Sequence, residues 1–470
     1  MASSKHPAQL LKTVSSRVLA STGAPTTGHS GQMSHRVVHT TRPRVSYFTK
    51  VTGRPYPQSW SSMRHLSLAA QTRQQDLATR QQPVVATSVL HSQMVNDAIR
   101  VEFADGSTSD LSHLWLRDNC QCEKCYSKSA LGRISLLKNL DLDSHPVHVQ
   151  ELENGSITVE WNDGHLSEFS GEWLHQRAFN QTARQKRRNQ YALKKVRWDG
   201  AFRPKEFDYC NMLNDDQHLL DWHLAMERDG FTLIRNSPDK DVAGPELIEH
   251  IAVVKQSHYG PHSPVVVRAD ANNIAWTNSE LGLHNDLAQY EYMAGIIFIH
   301  CKHQHVGSGG ESLVSDGLYA AEKLRRQHPE AFKLLTTTDN YYWDKGVANL
   351  PWEQEEFFKI ARMPVIKLDN NKEVIQVAVN NAVRDSYLDL PAHKVKQFYE
   401  AMKIYNDVLY ENAITFKMAE GDMIVLDNIR CLHGRLGYEA HSTRHLESSY
   451  LDWDEARCRR RRLQEKLGVV

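Results

Sequence analysis

The chain has 470 residues, 40% of them hydrophobic, and carries 56 basic and 56 acidic side chains. That length allows two or three domains with a substantial core, and no run of eighteen consecutive apolar residues is present to make a membrane span. Residues 1–85 hold 11 Lys/Arg and one acid, so 56 − 11 = 45 basic and 56 − 1 = 55 acidic residues lie beyond, a net of −10; an acidic body argues against a nucleic-acid partner.

The first 85 residues are rich in Ser, Thr and Arg, carry no acid before Asp76, and include amphipathic pieces such as Leu10–Leu19. This composition predicts a mitochondrial transit or disordered leader, because a secretory signal needs a longer apolar centre. It places the protein in the mitochondrial matrix, with the cytoplasm as the alternative. Arg64-His-Leu-Ser67 has the look of a processing site. Seven cysteines, few and odd in number, speak against a disulfide framework and for a reducing compartment.

Residues 95–180 read as a small β-rich domain. Ile99–Phe103 and Ser156–Trp161 are strand-like, and the turns Ala104-Asp-Gly106 and Asn162-Asp-Gly164 carry hairpin chemistry. Cys120, Cys122 and Cys125 place three thiols within six residues, a spacing that suits one tetrahedral zinc ion in a closed, structural site. His165, just after the second turn, is the best-framed fourth ligand; His113, His145 and His148 are alternatives. A basic linker follows over 181–206, and its run from Ala183 to Arg197 reads as a solvated connector.

Residues 207–460 form the larger domain. Leu219–Arg228 has helical spacing, stops at Asp229-Gly230 and leads into a strand, Phe231–Arg235. His-x-acid pairs occur three times, about what chance predicts, so context must separate them. His284-x-Asp286 lies at a strand or loop edge, beside the apolar strand Gly295–Cys301. His328-x-Glu330 falls in a surface helix interrupted at Pro329 and faces water. His445-x-Glu447 shares one face of a strand, with no third ligand evident. Ile414–Met418 and Met423–Asp427 read as consecutive strands around the turn Ala419–Asp422, delivering His433 and then Arg444. Distant ligands of this kind converge when sheets close into a barrel or jelly roll, a mainly β fold with flanking helices. Two imidazoles and one carboxylate occupy one face of Fe(II) and leave three positions open. A guanidinium such as Arg444 can clasp the far carboxylate of a chelating cosubstrate. The pattern points to a 2-oxoglutarate-dependent oxygenase.

Leu114–Cys125, His284-Asn-Asp286, Val379–Asp385 and Asp427–Arg435 together resemble the γ-butyrobetaine dioxygenase and trimethyllysine dioxygenase family, over about residues 98–460. The resemblance implies a double-stranded β-helix (jelly-roll) oxygenase domain, an N-terminal zinc domain and a homodimer. It gives Fe(II) to His284, Asp286 and His433, and 2-oxoglutarate to Arg444, with ascorbate as supporting reductant. It implies oxidative decarboxylation of 2-oxoglutarate to succinate and CO2, coupled to hydroxylation of a small trimethylammonium substrate. Aromatic faces hold such a cation; Tyr259, Trp276 and Tyr450 match the cage positions of the butyrobetaine branch, Asn273 matches the substrate-carboxylate position, and Asn380 or Asn381 offers a second amide there.

The complete cysteine cluster and Asn380–Asp385 are closer to γ-butyrobetaine dioxygenases, so the expected reaction makes L-carnitine; hydroxylation of trimethyllysine, or of another quaternary ammonium compound, is the alternative. Ser263 and Leu287 stand where the butyrobetaine branch has Trp and Tyr, and the step from His433 to Arg444 is two residues shorter than in that branch. Loss of an aromatic wall weakens a cation site by roughly 0.5–2 kcal/mol.

Overall fold

The computed structural model describes residues 85–469 except 270, 272, 350–353 and 440. Leu10–Leu19 and Arg64–Ser67 lie outside the described residues. The N-terminal part builds two antiparallel three-stranded sheets, Val89–Val95, Ala98–Phe103 and Thr108–Ser112, then Pro146–Glu151, Ile157–Trp161 and Leu166–Phe169. Alternation turns Ile99, Val101 and Phe103 inward and Arg100 and Glu102 outward, as a half-buried strand requires. Gly106 and Gly164 close their hairpins at φ 81° and 75°, a region that glycine enters without a Cβ penalty. The resulting core of Ile99, Val101, Phe103, Leu111, Ile157, Val159, Trp161 and Phe169 with a few neighbours is small, the situation in which a bound metal adds needed stability.

The basic stretch after this part is solvated, and it is helical. Gln181–Tyr191 is a helix, capped by the Asn180 side chain, which accepts from Ala183 N at 2.9 Å. Its Arg, Lys and Gln residues are good helix formers despite their like charge. Beyond it the chain is fastened down, with Val196 N donating to Arg228 O at 2.8 Å and Lys195 Nζ to Asp427 Oδ2 at 2.7 Å.

Two further sheets form the jelly roll. The six-stranded one runs His262–Val265, His445–Leu451, Ile296–His303, Met423–Asp427, Phe231–Arg235 and Lys205–Asp208 in spatial order. The four-stranded one runs Leu281–His284, Cys431–Arg435, Ser312–Asp316 and Ile414–Phe416. Ile297, Ile299, Val314, Ile424, Leu426 and Leu446 fill a core shared by the two sheets. Helices Asp216–Asp229, Ala243–Ile251 and Trp453–Lys466 pack on the outer face of the larger sheet, and Gly317–Gln327, Pro329–Thr337 and Ala392–Glu411 on that of the smaller. The strand bearing His284 therefore pairs with Cys431–Arg435, whereas the apolar strand expected beside it sits in the opposite sheet; closure of the roll separates them. Among the described residues no helix is long and apolar enough to cross a membrane.

A fully buried ion pair pins the turn that feeds the second histidine strand. Arg430 Nη2 lies 2.7 Å from Asp316 Oδ2, and both side chains are inaccessible to water. Trp198 N also donates to Asp316, and Arg430 Nη1 to Arg228 O. A charge pair so well provided with hydrogen bonds is tolerated in the interior, whereas removing one partner strands the other at a cost of about 3–5 kcal/mol.

Candidate active site

His284 ends its strand directly opposite His433 in the antiparallel register, which sets their ring centroids 4.3 Å apart. Asp286 follows two residues later and brings Oδ1 to 3.1 Å from His284 Nε2 and 3.7 Å from His433 Nε2. An octahedral ion with bonds of about 2.1 Å has adjacent ligands roughly 3 Å apart, so the three donor atoms fit one face of a divalent ion. Their electrostatics agree. Burial opposes ionisation of Asp286, but the neighbouring His433 and His284 and the Tyr450 hydroxyl hold its carboxyl well below the usual range. Burial, aided by His284, pushes His433 down to about 4, leaving a neutral imidazole ready to ligate. Burial also opposes a charge on His284, yet its hydrogen bond and charge attraction to Asp286 raise it.

The ligand segment is held from behind. Asn285 is fully buried and donates through Nδ2 to Asn428 O at 2.7 Å and Cys431 O at 3.1 Å, while its Oδ1 accepts from Val379 N at 3.0 Å. Asn428 returns the grip, accepting from Asp286 N at 2.8 Å and donating to Asp286 O at 2.9 Å. Leu287 then turns the chain at φ 58°, a conformation uncommon for a branched side chain. Sequence reasoning gave Asn285 and Asn428 no role; their place inside the two quoted motifs was the available signal.

Two chambers share His284 and Asp286. One also meets His433, Ile297, Ile299, Ser312, Arg435 and Arg444. Arg444 is 3% exposed, donates through Nε to Gln304 Oε1 at 3.3 Å, and leaves Nη1 with no partner among the described residues. Arg435, on the same strand face as His433, likewise leaves Nε and Nη1 unpartnered, and burial pushes its guanidinium down to about 10. Two desolvated guanidiniums with free N–H groups suit an anionic carboxylate. Arg435 is a candidate that the sequence did not single out, although its i+2 spacing from His433 on a strand put it within reach.

The second chamber is lined by Tyr259, Trp276, Tyr450, Asn273, Asn380, Ser263, Leu287 and Asp344, among others. Tyr259 and Trp276 meet edge to face at 5.7 Å. Asn273 donates to the Tyr259 hydroxyl at 2.8 Å and caps the turn at Ala275 with Oδ1, which leaves one amide N–H for a ligand. Asn380 is committed to Asn285 O and Ala382 N. Asn381 is not among the residues lining this chamber; it is exposed and accepts from Arg384. No Lys or Arg is among the described lining residues, and the carboxylate of Asp344 faces this space.

In the N-terminal part, His165 Nε2 stands 3.2, 3.6 and 3.7 Å from the sulfurs of Cys120, Cys122 and Cys125. A tetrahedral zinc ion with the usual bond lengths sets such atoms about 3.6 Å apart, so the four donors fit it. Burial and the neighbouring thiols push Cys125 up to about 11, a proton that a bound cation would displace. His113, His145 and His148 stay outside the cluster. Of the remaining pairs, His328 and Glu330 are exposed, whereas His445 and Glu447 do meet a third candidate ligand, Asp241.

A jelly roll with a two-histidine, one-carboxylate triad defines a class of non-haem oxygenase. The model of the taurine catabolism dioxygenase TauD, TfdA family matches residues 193–450, and that of the γ-butyrobetaine hydroxylase-like N-terminal region matches residues 90–175. The chain belongs to the TauD, TfdA dioxygenase family, within the group that includes the γ-butyrobetaine and trimethyllysine dioxygenases. It is 33% identical to the γ-butyrobetaine dioxygenase of Homo sapiens over 75% of this chain and 91% of that protein. It is 30% identical to that of a Pseudomonas species over 76% of this chain and 91% of that protein. It is 24% identical to a mitochondrial trimethyllysine dioxygenase of Bos taurus over 77% and 85% of the two chains.

Proposed function

We propose that the protein hydroxylates γ-butyrobetaine to L-carnitine, using Fe(II) and 2-oxoglutarate. The carrying observation is that two chemically different chambers meet at one triad, one offering free guanidinium donors and the other aromatic faces beside a carboxylate. Similarity to named γ-butyrobetaine dioxygenases supports the same reading.

In this reading His284, Asp286 and His433 hold iron, and Arg444, helped by Arg435, holds the far carboxylate of 2-oxoglutarate. Bound iron supplies oxygen activation, coupling decarboxylation of the cosubstrate to hydroxylation of a C–H bond. Tyr259, Trp276 and Tyr450 wall the trimethylammonium, which no N–H hydrogen bond can hold. Asn273 turns its remaining amide hydrogen toward the substrate carboxylate, with Asn380 behind it. Fixing the substrate carbon beside the triad matters because a misplaced carbon loses the advantage of orientation and exposes protein groups to oxidation. Cys120, Cys122, Cys125 and His165 hold a structural zinc in an N-terminal domain joined to the oxygenase domain. A homodimer, ascorbate as reductant and the mitochondrial matrix complete the proposal; the last rests on the leader's composition and on trimethyllysine dioxygenase relatives named mitochondrial.

Asp344 gives a specific reason to keep trimethyllysine as a second reading. That substrate carries an α-ammonium group absent from γ-butyrobetaine; burial chiefly raises the Tyr259 and Tyr290 hydroxyls, and the nearby Asp344 carboxylate adds to both. Purified full-length protein with Fe(II), ascorbate and 2-oxoglutarate should be offered each substrate in turn and the products read by mass spectrometry. L-carnitine supports the first reading; hydroxylation of trimethyllysine alone replaces it with the second; oxidation of neither overturns both.

A further inference from the structure

The strand His445–Leu451 presents two chemistries. Arg444, Leu446, Ser448 and Tyr450 border the chambers, so alternation turns His445 and Glu447 to the opposite face of the sheet. There Glu447 is only 4% exposed, yet both its oxygens meet imidazoles: Oε1 lies 2.6 Å from His445 Nε2 and Oε2 lies 2.9 Å from His262 Nδ1. Asp241, just before the helix Ala243–Ile251, brings a carboxylate oxygen to the same place, and the donor atoms of Asp241, His445 and Glu447 all lie within 4.8 Å of one another.

A second observation points the same way. His300 sits directly across the ladder from Glu447, which puts both side chains on one face. It is 1% exposed, and neither of its ring nitrogens has a partner among the described residues. A buried imidazole with two idle nitrogens is an unusual thing to keep beside a carboxylate unless something else is shared there.

We propose that Asp241, His445 and Glu447, with His262 alongside, form a third divalent transition-metal site, separate from the triad and the cysteine cluster. Imidazole nitrogen and carboxylate oxygen are the donor set of zinc, cobalt and nickel ions, with no thiolate to demand a softer metal. Without metal, a proton lies between each histidine nitrogen and Glu447; as an ion takes the nitrogen and oxygen lone pairs, that proton moves to the other ring nitrogen of a neutral imidazole, or leaves to solvent from a protonated one. Lys302 now pairs with Asp241, but it also lies 3.4 Å from Asp239 Oδ1, so it keeps a carboxylate partner when Asp241 turns to the ion. A bound ion would tie the helix Ala243–Ile251 to the strand that borders both chambers.

The test is a metal count that needs no turnover, so it fails or succeeds independently of the proposed reaction. Full-length protein is dialysed to equilibrium against Zn(II), and bound zinc per chain is measured by mass spectrometry for the wild type, Asp241→Asn, Glu447→Gln and His284→Ala. The expected wild-type value is three equivalents, falling by one in each variant and by two in the Glu447→Gln, His284→Ala double variant. Circular dichroism confirms that each variant is folded, and the exposed position of Asp241 makes Asp241→Asn the safer of the two site variants. Equal zinc content in wild type, Asp241→Asn and Glu447→Gln would overturn the proposal.

Discussion

Tyr450 donates its hydroxyl to Asp286 Oδ2 at 2.8 Å, while the other oxygen of that carboxylate faces His284 and His433. One side chain thus lines the aromatic chamber and fixes the carboxylate of the triad. Tyr450→Phe keeps the aromatic face but removes the hydrogen bond. Groups that orient metal ligands typically contribute about 10- to 100-fold in affinity or activity. The variant should need at least about tenfold more Fe(II) for half-maximal turnover, with a smaller change in substrate KM. Unchanged iron dependence would show that Asp286 needs no such support.

Arg435 and Arg444 both line the chamber next to the triad, and both leave buried N–H groups unpartnered among the described residues. A hydrogen bond to a charged group contributes about 1.5–3 kcal/mol, or roughly 10- to 150-fold in affinity. Arg444→Ala should raise the KM for 2-oxoglutarate by at least that much, and Arg435→Gln by a lesser factor, with the KM for the hydroxylated substrate nearly constant. Steady-state kinetics with each substrate varied in turn separates the two effects. A rise confined to the hydroxylated substrate would reverse the assignment of the chambers.

How much of this was legible in the sequence follows from the range of the interactions. His284, Asp286 and His433 stood out because metal chemistry restricts residue type, and the cysteine cluster because three ligands are local. The helix ending at Gly230 and the turns at Gly106 and Gly164 were legible from their own backbone needs. Arg435, Asn285 and Asn428 were not, since their importance depends on strands far apart in the chain being brought into contact. The helix Gln181–Tyr191 was masked by its charge, which reads as a linker until Asn180 is seen to cap it. Asp241 joined His445 and Glu447 only through packing of the following helix on the sheet.

Cys122→Ser removes one of four donors from a part of the molecule whose core is small. Zinc content should fall by one equivalent, and chelator treatment of the wild type should reproduce the accompanying loss of thermal stability. Structural zinc contributes folding free energy directly, so a loss of several degrees in Tm is expected for this part of the chain. Full zinc content with unchanged stability would remove the cluster from the account.

His223 is buried against Trp222, and burial together with Arg459 and Arg460 pushes its imidazole from 6.5 down to about 3. The unfolded chain takes up a proton near pH 6.5 that the folded chain refuses until about pH 3, so this residue makes stability fall as pH drops through that window. Between pH 7 and pH 5 its contribution is about 2 kcal/mol. His223→Phe should flatten the acid side of the stability profile by that amount in denaturant titrations. An identical pH dependence in the two proteins would contradict the buried, neutral state.

Asp344 shares the chamber with three aromatic residues and has no Lys or Arg beside it among the described lining residues. Asp344→Asn keeps the shape and removes the charge. A partly solvated carboxylate at such a site contributes about 0.5–1 kcal/mol, so the KM for a trimethylammonium substrate should rise roughly two- to fivefold with kcat nearly unchanged. A neutral isostere carrying a tert-butyl group in place of the trimethylammonium should show no such difference between the variants. Equal effects on both compounds would mean that the residue acts on folding or shape instead.

If one triad couples the two chambers, the two products must form in a fixed ratio. Oxygen-dependent succinate and L-carnitine should be quantified together from γ-butyrobetaine, in wild type and in His284→Ala loaded with the same iron. One succinate for each L-carnitine is expected in the wild type, and neither product in the variant. Undiminished coupled turnover in His284→Ala, or no 2-oxoglutarate consumption by folded, iron-loaded wild type with any quaternary ammonium substrate, would contradict it.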